Sequence, residues 1–224
     1  HGNVRSIASL ATGTARLFAP LRSVRIVGNV GVGIVRVFVF FLASAASTEY
    51  DATKWLYAPN FYSEYRYILG TRGKNPLICI GINPSTAEPD NLDNTLKSVQ
   101  RIAHGNGFDS FIMFNVYAQR ATHPDDMEHA CNTALHAENR KAFRYLLSLS
   151  EHPAVWAAWG NIIMKRDYLM DCMRDFLADG QAVGAKWYTA GPLLKSGHPH
   201  HPLYLRKDSL LDCFDVAGYV ASIL

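Results

Sequence analysis

Residues 77–95 read LICIGINPSTAEPDNLDNT, an unbroken apolar segment that runs into a proline-interrupted loop crowded with Asn, Ser, Thr and Asp, and then into a helix start. A short continuous apolar run followed by a single helix is the pattern of a strand buried on both faces of a parallel sheet. In open α/β sheets, ligands bind at the loops leaving the carboxyl ends of the strands. The loop after Ile82 is therefore the first candidate for a functional site.

Working outward, the pattern repeats. Apolar, β-rich runs occupy residues 77–82, 111–117, 154–159 and 185–190, with helical periodicity between them. The first helix takes Asp93 or Asn94 as N-cap, buries Leu96, Val99, Ile102 and Ala103 on one stripe, and ends at Gly105 or Gly107. A second spans 134–149 around Leu135, Ala142 and Leu146. A third spans 162–177, with Leu169, Met173 and Phe176 inward and Gly180 just past its end. The last starts near Asp208 and carries Leu210, Leu211, Phe214 and Ala217. Single helices between strands imply right-handed crossovers. The expectation is an α/β three-layer sandwich on a four-stranded, mainly parallel central sheet. Upstream, YRYILGTRGKNPLICIGI, residues 65–82, reads as an N-terminal hairpin feeding the first central strand.

The chain has 224 residues, 49% of them apolar and 12% aromatic, enough for one domain with a packed core. Residues 1–48 stand apart: they contain Arg5, Arg16, Arg22, Arg25 and Arg36 and no acidic residue, and they end in VFVFFLASAAS. Three readings of that leader stand side by side: a fragment or mis-assigned start, an export or targeting signal, and a structured element. Arg36 splits the apolar run, which counts against a membrane span, and no stable membrane association is expected. Residues 49–224 are read as a single α/β domain. They hold 17 of the 22 basic residues against all 19 acidic ones, a net charge of −2, without the basic excess of a protein that grips duplex DNA by many phosphates. Cys79, Cys131, Cys172 and Cys213 form no CxxC pair and read as free thiols, which favours a reducing, cytoplasmic setting.

Polar residues gather in the loops that the four strands would place on one edge. After the first strand, Asn83 offers an amide that can hold a water or a carbonyl, or form an Asx turn ahead of Pro84. Ser85 and Thr86 can bind phosphate or close a turn. Asp90 and Asp93 can serve as base or as ligands of a hard cation, with helix capping the cheaper use of Asp93. After the second strand, Arg120 and His123 offer a cation beside Asn115, suited to phosphate or carboxylate, or a solvated surface arginine. Trp159, Gly160 and Asn161 follow the third strand. GPLLKSGHPHHPLYL follows the fourth, with His198, His200 and His201 held between Pro199 and Pro202. A His-x-His-His run without companion cysteines or carboxylates is a weak zinc signal, and one histidine donating to developing negative charge is the better use.

Together, GINPSTAEPDNLDNT, NVYAQRATHP, AAWG and GHPHHPLYL, in this order, resemble a bacterial and phage family known as domain of unknown function (DUF) 1643, over residues 56–205. More distantly, GINPS and GHPHHP are similar to the strand-one and late loops of the uracil-DNA glycosylase superfamily, of Gly-x-x-Pro-Gly and His-Pro type. That resemblance implies a glycosylase-like fold, with Asn83 positioning the attacking water and His198 stabilising the departing base as catalytic residues. Around them, Gly81, Pro84, Ser85, Thr86, Asp90, Asn115, Arg120, Trp159, Gly160 and His201 would form the substrate-binding walls.

The departures from the glycosylase pattern narrow the substrate. Ser85 stands where the glycosylases keep a glycine, no aromatic residue follows it directly, and the late loop lacks an apolar wedge for invading a duplex. The expected function is a nucleobase N-glycosylase-like hydrolase, needing neither metal nor cofactor, that acts on a nucleotide, a modified base or single-stranded nucleic acid. The alternatives are a binding module for the same ligands, and a metal-dependent hydrolase built from Asp90, Asp93 and the histidines.

Overall fold

Strand β3, Pro76–Gly81, is buried throughout and sends alternate side chains to opposite faces of the sheet. In the computed structural model, which describes residues 50–223, it pairs in parallel with β4 (Ser110–Asn115) on one side and β5 (Ala154–Ala157) on the other. Strand β6, Lys186–Ala190, extends the parallel set beyond β5. These are the four strands expected from the apolar runs. The reading of residues 1–48 lies outside the described residues.

The sheet is wider than four strands. It has seven, with β1 (Trp55–Ala58) and β2 (Ile68–Thr71) added antiparallel beyond β4 and β7 (Leu211–Cys213) beyond β6, in the order β1-β2-β4-β3-β5-β6-β7. β1 and β2 form the N-terminal hairpin, and β2 pairs with β4. The expected pairing of residues 65–71 with the first central strand is thus corrected: β4 lies between β2 and β3. Gly70 makes that neighbour possible, since a Cβ there would meet the Phe111 carbonyl oxygen at 2.3 Å and the Ile112 Cα at 2.6 Å. On the far edge, β7 pairs antiparallel with β6.

Among the described residues, four α-helices cover the sheet. α1, Asn94–Gly105, starts at the expected cap, where the Asp93 carboxylate accepts the Leu96 N–H at 2.8 Å. Its Leu96, Val99, Ile102 and Ala103 pack with Leu77, Cys79, Phe111 and Trp156 on one face of the sheet. α2 (Thr133–Leu147), α3 (Tyr168–Ala182) and α4 (Val216–Ser222) contribute Leu135, Phe143, Met173, Phe176 and Val220 to the other face, around Ile78, Ile80 and Phe114. The result is three layers.

Two helix expectations are corrected. A 3₁₀ turn occupies Gly160–Met164, so α3 begins at Tyr168 rather than Ile162; Gly180 lies within it, against the Trp187 indole. The final helix begins at Val216, not near Asp208. Its cap is Asp215, whose carboxylate accepts the Gly218 N–H at 2.9 Å, and the residues before it form β7.

Candidate functional site

β3 and β4 end together: Gly81 and Asn115 are register partners at the carboxyl edge of the sheet. Asn139 of α2, itself 1% exposed, reaches up behind β4 and donates to the carbonyls of Asn115 at 2.9 Å and Val116 at 3.3 Å, fixing that strand end. The Asn115 side chain is also 1% exposed, and neither its amide nitrogen nor its amide oxygen has a hydrogen-bond partner.

Asn115 opens onto a cleft of about 710 Å³ beyond the strand ends, lined from all four loops. Gly81, Asn83 and Ser85 come from the loop after β3, Trp159 and Gly160 from the loop after β5, and His200 and His201 from the loop after β6. The GINPS segment and the histidine segment therefore face one cavity. The N-terminus of α1, Asp93 to Leu96, forms another part of its wall.

The loops are tied to one another around this mouth. Asn83 Nδ2 donates to the Ala121 carbonyl at 2.7 Å and to the Pro84 carbonyl at 3.2 Å, while the Ala121 N–H reaches the Pro84 carbonyl at 2.9 Å. Arg120 donates to the Ser85 carbonyl and, at 3.0 Å, to the Tyr57 hydroxyl, with its guanidinium over the Tyr62 ring. Arg166, after β5, donates to the carbonyls of Asp125 and Met127 at 2.9 Å each. Ser196 donates to Asn161 Oδ1 at 2.5 Å. Gly160 adopts φ +60°, a conformation costly for other residues, and a Cβ there would sit 3.5 Å from that of His201.

Several expected site residues lie outside the lining. Pro84 and Arg120 shape the wall through the bonds just given. Thr86 is exposed. Asp90, at φ 59°, turns outward to Lys54 Nζ at 3.1 Å and Trp55 Nε1 at 3.0 Å, so the metal-ligand set of Asp90, Asp93 and the histidines does not assemble. Among the described residues no three His, Cys, Asp or Glu side chains are grouped to hold a metal ion. His198 is buried behind the wall, its Nδ1 2.8 Å from the Tyr219 hydroxyl, which also accepts Trp159 Nε1–H at 2.9 Å. Burial lowers the pKa of His198 below the ordinary histidine value.

His201 is the histidine placed at the cleft, and its Nδ1 accepts the Leu203 N–H at 3.3 Å. That bond assigns the ring proton to Nε2. Burial lowers its pKa, against an opposing pull from Asp93, so the ring is neutral near pH 7.

Among the lining residues absent from the expected set, one is a buried arginine. Arg66, just before β2, is 1% exposed; Nη1 donates to the Ala87 carbonyl at 3.2 Å and Nε has no partner. Burial first, and repulsion from Arg120 second, pull its pKa down to about 9. An arginine inside the apolar run YRYILG was the available signal.

The family described as protein of unknown function (DUF1643) matches residues 66–203, more than half of the chain. The chain belongs to the DUF1643 family. The DUF1643 region starts at Arg66 and takes in Asn115, the start of α1 and the four loops, whereas β1, β7 and α4 fall outside it. No curated protein and no solved structure matches the chain. No described helix is long and apolar enough to cross a membrane.

Proposed function

We propose that the cleft binds a nucleobase and that the protein is an N-glycosidic hydrolase acting on a nucleotide, a modified base or a single-stranded nucleic acid. The observation that carries this reading is the buried amide of Asn115 at the wall of the cleft, with neither end paired. Leaving such a group unsatisfied costs about 1–3 kcal/mol, which a ligand presenting an adjacent donor and acceptor recovers. The edge of a nucleobase offers that pair, and asparagine reads adenine in this bidentate manner. A cavity of about 710 Å³ suits a ligand of nucleotide size.

N-glycosidic cleavage passes through an oxocarbenium-like sugar, so it needs a stabilised leaving group and a placed water rather than a strong nucleophile. On this reading His201, neutral and protonated on Nε2, donates to the departing base. The role expected of His198 passes to its neighbour at the cleft, and His198 positions the wall through Tyr219. Asn83, whose nitrogen is engaged by two carbonyls, holds the water through Oδ1. The likeness of GINPS and GHPHHP to the glycosylase loops supports the same assignment.

Binding without cleavage is the second reading, favoured by the structural bonds that engage Asn83 and His198. Base release from a panel of nucleotides and oligonucleotides decides between them. Hydrolysis predicts release by the wild type that falls at least 100-fold in Asn115→Ala and His201→Ala. Saturable binding with no release assigns a binding module, and release that survives both substitutions overturns the site.

A further inference from the structure

We infer that the cleft has a phosphate end, built by Arg66 and the N-terminus of α1, and that the ligand is therefore a nucleoside phosphate rather than a free base or nucleoside. The inference rests on the nucleobase reading of Asn115 and adds the other end of the same ligand.

Two independent features converge there. α1 is a 12-residue helix whose first residues, Asn94 and Thr95, line the cleft, and its first turn holds no acidic residue. The first N–H groups of a helix have no intrahelical acceptor, and the aligned peptide dipoles favour an anion beside them. The cap engages the Leu96 N–H through its carboxylate and the Lys97 N–H through its carbonyl, and neither bond involves the N–H groups of Asn94 and Thr95. Facing the same space is Arg66, a guanidinium 1% exposed to solvent that makes no ion pair with any described carboxylate and keeps an unpartnered Nε.

Burying a charge without a counterion is costly, and guanidiniums are normally buried only when paired. Arg66 is further opposed by Arg120, while Asp93, engaged as the helix cap, is the acid that acts on it through space. Arg120 lies outside the lining and Asp93 is committed to the cap, so the Arg66 guanidinium has no ion-pair partner at that end of the cleft. A phosphate supplies the missing anion and several acceptor oxygens, matching the forked donors of arginine and the helix amides. Arg66 also shapes the loop through Ala87, but that single bond leaves its Nε without a partner and the guanidinium without a counterion.

The test is titration calorimetry on the full chain with the four common ribonucleosides, their 5′-monophosphates and inorganic phosphate. At least one monophosphate should bind ten-fold or more tightly than its nucleoside, and the advantage should fall below two-fold in Arg66→Met and survive in part in Arg66→Lys. Because Arg66 is buried, a second measurement avoids substitution: inorganic phosphate added to the wild type should shift the amide resonances of Asn94 and Thr95. Equal affinity for nucleoside and monophosphate, with those resonances unmoved, overturns the phosphate end and leaves the nucleobase reading standing. Phosphate binding at α1 with no nucleotide preferred over inorganic phosphate keeps the anion site and removes the base.

Discussion

The side-chain nitrogen of Asn83 donates to the main-chain oxygen of Ala121 at 2.7 Å, joining the loop after β3 to the loop after β4. Replacing Asn83 with alanine removes that bond and the weaker one to Pro84. The expected loss of stability is about 1 kcal/mol, read as a lower urea midpoint at unchanged slope. Ligand affinity should fall with it, because both loops line the cleft. A midpoint identical to wild type would show that the amide holds nothing together.

Asn115 should behave in the opposite way. Its amide is buried with no partner, so Asn115→Leu exchanges an unsatisfied polar group for an apolar one of similar size. The empty protein should gain about 1 kcal/mol or more in thermal unfolding while binding is lost. A destabilised variant would mean that the amide is satisfied in the free protein, and would remove the reason for giving it a ligand.

Tyr219 supplies the hydroxyl that serves both Trp159 and His198. Tyr219→Phe leaves two buried polar groups without that partner and should cost about 2 kcal/mol or more in chemical denaturation. The variant should still fold, so that near-ultraviolet dichroism of Trp159 reports the lost bond.

Acid sensitivity follows from the histidines. Burial lowers the folded-state pKa of His198 and His201, so between their folded and ordinary values the unfolded chain binds more protons. Their contribution is fully present above about pH 6.5 and is lost as pH falls from there through the folded values. Thermal midpoints at pH 7.5 and 5.5 should differ, and the difference should shrink in His198→Gln. A pH-independent midpoint over that range would contradict the burial.

Gly70→Ala tests the hairpin. The new methyl would press on the backbone of β4, which has no flexible end to yield. We expect a loss of about 3 kcal/mol and faster hydrogen exchange in β1 and β2 than in β5 and β6. Uniform exchange would place the strain elsewhere.

The four parallel strands were legible because burial on both faces makes each a continuous apolar run, and α1 because Asp93 precedes a clean stripe. The edges were not. Leu210, Leu211, Phe214 and Ala217 fit a helical spacing, but Leu211, Asp212 and Cys213 pair with β6, a choice made by the sheet edge and invisible in the local pattern. β2 sits beside β4 because Gly70 lets two backbones approach, which depends on Ile112, 42 residues away. Gly81, Asn83, Ser85, Asn115, Trp159, Gly160 and His201 line one cleft because the strand ends and loops that carry them share one edge of the sheet. Arg66 was missed because charge inside an apolar run was read as part of a strand, and what sets His198 apart from His201 is its bond to Tyr219, on a helix that the local sequence does not reveal.

The bonds from Asn83 to Ala121, from Arg166 to Asp125 and Met127, and from Ser196 to Asn161 run from each loop to the next, and α1 meets the Pro202–Tyr204 turn where the first loop adjoins the last. The rim is thus a closed collar. A guest entering it orders little that is not already ordered, and preorganisation of this kind places the burden of affinity on the guest's own fit rather than on folding the host around it.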